Sequence, residues 1–325
     1  MLLIGIDEAG YGPRLGPLCH GYCAFRCAQP AGSSAPDLWE ALRSAITRHP
    51  AADDRLTVDD SKKVYSPPHG LDLLTRGVSG FLHCLDGGHG GAAEQNGLYA
   101  RLLPEADRAR LEEDPWAQDG DSAASVTPPA ATSEPAVLRL RDTLAAQRVR
   151  VLALGARALS ARHFNAALRA RNNKADVNWS VIAPQLQALV PLAGPDEDAH
   201  IVVDRQGGRK FYGAQAAALF PGAMLWVERE TPRASVYRLE PGGRRVRLEF
   251  LVEADAASMP VALASMAAKL ARELCMARLN AFFRRHTPDL QPTAGYAADA
   301  GRFLKDTRAL RERLGLDDGA LIREK

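Results

Sequence analysis

The 325-residue chain lacks any apolar run near the ~18 residues that would cross a bilayer, which excludes a transmembrane helix. Its opening apolar run has no basic segment before it, is too short for a secretory leader, and meets two acids at once, so a cytoplasmic protein is expected. Cysteine is scarce: five residues, an odd number and mostly isolated, which suits a reducing compartment and excludes a disulfide framework. Cys19, Cys23 and Cys27 are four apart, but along a strand they share one face, where cysteine acts as a small buried hydrophobe rather than a metal ligand. Net charge is only +2, so the molecule as a whole is not a polyanion binder. Its basic residues are mostly arginine, which suits bidentate phosphate contacts where they cluster. There is no phosphate loop, no G-x-G-x-x-G after a strand and no G-x-S-x-G elbow, which disfavours a small-molecule α/β enzyme. No solenoid-type repeat is present.

What remains is a chain 46% hydrophobic, long enough for one large domain or two small ones. Met1 to Ile6 reads as a strand, and Leu15 to Arg26 as a second, joined to it as a hairpin through a Gly/Pro turn. Leu38, Leu42 and Ile46, four apart, predict a helix over 35–48. Residues 71–85 and 136–147 predict further helices, with a strand over 149–154 and mixed helical portions over 161–192. Between them, 86–135 is poor in β-branched and aromatic residues and ends in low complexity, and is read as a loop insertion. Strands are expected over 200–203, 224–228, 235–239 and 245–252. A long helix then follows from Ser258, apolar on one face and carrying Ser265, Lys269 and Arg272 in a row. The part from 270 to 325 is helical and basic on its polar side.

Three of these strands run into acids: Asp7 and Glu8, then Asp204, then Asp255. Burying such groups without partners costs several kcal/mol or shifts their pKa. If the strands are neighbours with the same ends together, four carboxylates meet at one rim, and divalent cations are needed to offset their repulsion. Oxygen ligands suit Mg²⁺ or Mn²⁺, and a two-metal site can clamp both oxygens of a phosphodiester undergoing hydrolysis. Taken alone, each acid is equally a solvated strand-to-loop junction.

The order of motifs resembles ribonuclease HII. GIDEAGYGPRLGP lies at the start, DDSKK at Asp59 to Lys63, and VVDRQGG around Asp204. Ala254-Asp255 follows, then SMAAK from Ser265 to Lys269, and Gly295-Tyr296. The resemblance implies a ribonuclease H-like α/β fold in a single domain over 1–325, with a central mixed β-sheet flanked by helices. It also implies metal-dependent endonucleolytic cleavage of RNA in RNA–DNA hybrids or of ribonucleotides embedded in duplex DNA, leaving 5′-phosphate ends. Asp7, Glu8, Asp204 and Asp255 would hold the Mg²⁺ or Mn²⁺. Lys62 and Lys63, after Ser61, would meet substrate phosphates, as would Ser265 and Lys269 from one helix face. Tyr296 would stack on a sugar. Each of these polar residues also has a plain reading as a solvated helix face or a half-buried tyrosine. The partner would be a hybrid or ribonucleotide-containing duplex, the protein a monomer, and no membrane is involved.

One departure is conspicuous. The family's G-R-G motif is Gly10-Tyr11-Gly12 here, in the segment that presents backbone groups to the ribose 2′-hydroxyl, the group that distinguishes RNA from DNA. The family's histidine near Gly295-Tyr296 is not evident either. The alternative reading is therefore a non-catalytic or differently targeted nucleic-acid-binding paralogue.

Overall fold

Apolar residues on both faces of the first strand require a sheet covered on both sides. The structure, a computed structural model, describes residues 1–30, 32–50, 53–66, 70–85, 95–118 and 132–324. Its strands are β1 (Leu2–Ala9), β2 (Leu18–Cys27), β3 (Ile46–Thr47), β4 (Leu56–Thr57), β5 (Val149–Leu159), β6 (Ala199–Asp204), β7 (Met224–Glu230), β8 (Ala234–Glu240) and β9 (Val246–Leu251). Its first helices are α1 (Leu38–Ala41), α2 (Ser61–Val64), α3 (Leu71–Leu82), α4 (Gln95–Leu102), α5 (Glu105–Leu111), α6 (Glu134–Ala146), α7 (Ala161–Arg171) and α8 (Lys174–Leu189). The remainder are α9 (Gly213–Leu219), α10 (Ala254–Ala257), α11 (Met259–His286), α12 (Ala297–Asp306), α13 (Arg308–Leu314) and α14 (Asp318–Leu321).

The fold is the expected α/β class, a central mixed sheet flanked by helices. Its seven strands run in the order β5-β2-β1-β6-β9-β8-β7. β1 pairs antiparallel with β2, as the predicted hairpin requires, and parallel with β6, which in turn pairs parallel with β9. Asp7, Glu8 and Asp204 therefore lie at the ends of adjacent strands pointing the same way, and Asp255 comes shortly after the third. On one face, Leu2, Ile4 and Ile6 pack with Ile182 and Leu186 of α8 and Ala216 of α9. On the other, Leu3, Cys19, Cys23 and Cys27 pack with α11, and the Cys23 thiol donates to the Pro260 carbonyl at 3.0 Å. Helix α11 comes this close because β1 and β2 carry glycine where it crosses. A Cβ at Gly21 would lie 1.8 Å from the Ala264 carbonyl oxygen.

Several local expectations change. The helix predicted over 35–48 is only α1, N-capped by Asp37, and Ile46 instead opens β3 beside β4. Leu38, Leu42 and Ile46 are nonetheless all buried, so their spacing recorded burial rather than a continuous helix. β1 continues past Ile6 to Ala9 because β2 keeps pairing with it, whereas β6 stops at Ile6↔Val203. Within the segment read as a loop insertion, α4 and α5 form, Tyr99, Leu102 and Leu111 are buried, and Trp116 stacks on Phe283. Residues 86–94 and 119–131 of that segment lie outside the described residues. Helix α11 is buried nearly all round from Met259 to Arg272, because α3 covers the side turned away from the sheet; its polar row is therefore not a solvated face.

Candidate metal centre

Because parallel pairing with β6 ends at Ile6, Asp7 and Glu8 project at the sheet rim on that side. Asp204 is the last residue of β6. One carboxylate oxygen from each of Asp7, Glu8 and Asp204 lies within 4.8 Å of the others. They open into a cleft of about 510 Å³, whose wall also includes Gly10, Tyr11, Gly12, Ser61, Lys62, Asp255, Ser265, Lys269 and Tyr296. Asp255 is not at a strand end: β9 stops at Leu251, Glu253 turns the chain with φ +57°, and Asp255 sits in the first turn of α10. It lines the cleft without joining the close triple.

Burial and like charge dominate here. Asp7, 6% exposed, has its carboxyl pushed well above the ordinary range by burial and then by Asp204 and Glu8; hydrogen bonding to Ser265 offsets part of this. Burial and Asp204 raise Glu8 to about 8, with Lys62 acting against them. Burial raises Asp204 to about 6, although its carboxylate accepts the Ala254 amide at 2.8 Å. Asp255 is raised by burial and then by the nearby charge of Asp60. One oxygen of Glu8, Oε2, is buried without a hydrogen-bond partner. Hard oxygen donors, mutual repulsion and an orphaned carboxylate oxygen suit a divalent cation of the Mg²⁺ or Mn²⁺ type.

The surrounding residues divide. The Ser265 hydroxyl on α11 meets that of Ser61 at 3.0 Å, tying the Asp59–Lys63 segment to the helix behind Asp7. Lys62 faces the acids, but Lys63 turns away to Asp59, 3.6 Å off, and is not part of the cleft wall. Asp59 is buried, held also by Arg48 at 2.9 Å, so one cation of the expected pair is engaged with the loop rather than lining the cleft. Lys269 lines the cleft with its charge already matched by Glu273 at 2.6 Å, over the ring of Tyr65. Tyr296 is 53% exposed at the rim. Tyr11 packs its ring beside Leu18 and Phe164, and its hydroxyl rests against Gly207, 2.7 Å from where a Cβ would stand.

Asp60 and Arg272 are among the cleft-lining residues to which the sequence alone assigned no role. Asp60 caps α2, accepting the Lys62 amide at 2.8 Å; its place in an acidic pair just before Ser-Lys-Lys is the signal that marks it. Arg272, 1% exposed, gives hydrogen bonds to the carbonyls of Leu15 and Ala294 at 3.1 and 3.0 Å. It requires Gly10, at φ +91°, whose Cβ would approach its Nε to 2.7 Å. Arg272 thus buttresses both the Gly10–Leu15 loop and the approach to Tyr296.

No family model and no curated protein matches the chain. Among solved structures, the chain is similar to one from the PCNA:RNase HII complex of Archaeoglobus fulgidus, at 16% identity and a TM-score of 0.43, covering 100% of this chain and 95% of that one. It is similar to ribonuclease H2 from Pyrococcus horikoshii OT3 at 14% identity and a TM-score of 0.43, covering 99% and 92%. A third similarity is to Bst-RNase HIII in complex with Mn²⁺, at 15% identity and a TM-score of 0.40, covering 99% of this chain and 66% of that one. Likeness at this level leaves the chemistry of the cleft to be argued from its own residues.

Proposed function

We propose that this protein is a metal-dependent endonuclease of the ribonuclease H type, a single-domain relative of ribonuclease HII with Gly-Tyr-Gly in place of Gly-Arg-Gly. Its substrate is the RNA strand of an RNA–DNA hybrid or a ribonucleotide embedded in duplex DNA. The observation that supports this most is the meeting of Asp7, Glu8 and Asp204 from adjacent parallel strands, with Glu8 Oε2 buried and unpartnered. Asp7, Glu8 and Asp204, with Asp255 across the cleft, would hold Mg²⁺ or Mn²⁺. Such ions supply Lewis-acid stabilisation of charge on phosphoryl oxygens and a more acidic water.

The chain's own residues bind and orient. Lys62 offers a cation beside the acids for a substrate phosphate. Tyr296 presents an exposed aromatic face to a sugar. Ser265 and Ser61 hold the wall behind Asp7, and the glycines of Gly10-Tyr11-Gly12 let backbone approach the substrate strand. Products would carry 5′-phosphate and 3′-hydroxyl ends. A non-catalytic hybrid-binding role is the second reading, favoured by Tyr11 in the basic position and by the neutralised Lys269.

The test is cleavage of two labelled duplexes with Mg²⁺ or Mn²⁺, one carrying a single ribonucleotide in DNA and one a continuous hybrid, with Asp7→Asn as the control. Cutting of either duplex by the wild type alone is the expected result. Binding without cutting moves the assignment to the second reading, and neither binding nor cutting removes both.

A further inference from the structure

Against the Gly10–Leu15 loop lies a second buried arginine, one that the proposed chemistry does not use. Arg323 is 3% exposed, and among the described residues no carboxylate lies within ion-pair distance of it. Its guanidinium stands over the ring of Phe164 at 5.1 Å, with Nε and Nη1 buried and unpartnered. Burial pushes its pKa down to about 10. An unpaired buried cation is costly, so its remaining contacts are informative. Nη2 donates to the carbonyls of Gly10 and Pro13.

The backbone around Arg323 is tied partly to the loop itself and partly to α7. Its amide donates to the Arg14 carbonyl at 2.8 Å, and Ile322 bridges antiparallel to Leu15. Buried Asn165 clamps the same segment, donating to the Ile322 carbonyl and accepting from the Glu324 amide, each at 2.8 Å. The Asn165 clamp holds Ile322 and Glu324 from outside the loop, so the guanidinium is fixed against the Gly10 and Pro13 carbonyls.

A trans peptide points its N–H opposite to its C=O. With the Gly10 carbonyl drawn inward to Arg323, the Tyr11 N–H of the same peptide faces the other way, towards the cleft that Gly10, Tyr11 and Gly12 line. Among the described residues the Tyr11 amide has no hydrogen-bond partner. We propose that Arg323 is a positioning residue for substrate recognition: by holding the Gly10 carbonyl inward, it presents the Tyr11 amide as a donor to a sugar hydroxyl of the substrate strand. This rests on the proposed function, in which the backbone of Gly10-Tyr11-Gly12 meets the substrate strand; the role of Arg323 is what is added.

The experiment compares wild type, Arg323→Met and Arg323→Lys on a duplex with one ribonucleotide and on the all-DNA duplex of the same sequence, both with Mg²⁺. Arg323→Met is expected to raise KM for the ribonucleotide duplex about tenfold, the scale of one lost hydrogen bond, with kcat within about threefold. Affinity for all-DNA duplex should stay within about twofold, and the Tyr11 amide resonance should move. Arg323→Lys, which retains a cationic donor, should recover part of the KM. An unchanged KM in a folded Arg323→Met protein overturns the inference, as does an equal loss of affinity for both duplexes. If Arg323→Met does not fold, Arg323→Lys carries the test through a smaller KM rise, and its absence is equally decisive. A wild type that binds both duplexes alike overturns this inference, whereas the proposed function stands or falls separately, on cleavage of either labelled duplex.

Discussion

Glu249 on β9 and Asp204 on β6 are carboxylates of neighbouring parallel strands, in register only two residues apart. Burial tends to raise both. At Glu249, hydrogen bonds from His200 and Arg247 outweigh burial and bring it to about 2; at Asp204, burial with nearby Asp255 leaves it at about 6. The difference lies in what surrounds them. On the β8–β9 face, Arg247 reaches Glu249 at 2.6 Å and also pairs with Glu228, and Arg238 meets Glu240 at 2.5 Å. At the rim, no arginine pairs with Asp7, Glu8 or Asp204 among the described residues, and Lys62 is the cation acting on Glu8 and Asp204. One sheet thus carries acids neutralised from within and acids left for a cation from outside.

The sharpest way to break this comparison is to remove one carboxylate from each region. Asp7→Asn is expected to lower turnover by about 10³-fold or more, the upper range for a group acting on the reacting charge. The same change should raise the melting temperature of the metal-free protein at pH 8, because it removes a member of a repulsive cluster. Glu249→Gln should do the reverse: turnover within about twofold, stability down by about 1–3 kcal/mol as Arg247 and His200 lose an ionised acceptor. Activity assays and thermal melts on both variants check this, and an active, folded Asp7→Asn protein would falsify the site.

The next largest effect is on pH and metal together. The folded protein holds the Glu8 proton up to about 8, whereas an ordinary glutamate carboxyl releases it near 4.5. Between those values the native state binds more protons than the unfolded one, so the metal-free protein should lose stability as pH rises through that window. Asp204, raised to about 6, acts with the same sign. Divalent cations bind the ionised carboxylates and should cancel the loss. Millimolar Mg²⁺ or Mn²⁺ is therefore expected to raise the melting temperature more at pH 8 than at pH 5.5. Glu249 does not confound the measurement, since its contribution is present above 4.5 and is lost only as pH falls towards about 2. A metal-induced shift that is absent, or equal at both pH values, would contradict the rim assignment.

Much of this architecture was legible because apolar runs ending in acids are local signals. MLLIGIDE and IVVD state strand and carboxylate in one stretch, and the alternation of β2 placed its three cysteines on one buried face. What was not legible depends on partners distant in sequence. Nothing near Asp255 tells that a left-handed Glu253 carries the chain off β9 and into α10. Leu38, Leu42 and Ile46 keep helical spacing while occupying a short helix, its cap and a strand. Lys269 reads as a free cation until Glu273 and Tyr65 are folded against it. Arg323 meets Gly10 across 313 residues, a separation no motif spans.

The smallest predicted effect separates two adjacent lysines. Lys62 and Lys63 are chemically identical and follow the same capped turn, but the cap at Asp60 sends them in different directions. Lys62 lies among the rim acids and lines the cleft, while Lys63 pairs with buried Asp59 on its far side. Lys62→Ala should raise KM for a hybrid substrate by about tenfold, the scale of one charge-assisted phosphate contact, and should weaken the salt dependence of binding by about one counterion. Lys63→Ala should leave both within about twofold, since Asp59 keeps Arg48 as its other partner at 2.9 Å. Equal effects from the two substitutions would mean that both side chains face the substrate, and that the pairing of Lys63 with Asp59 opens when nucleic acid binds.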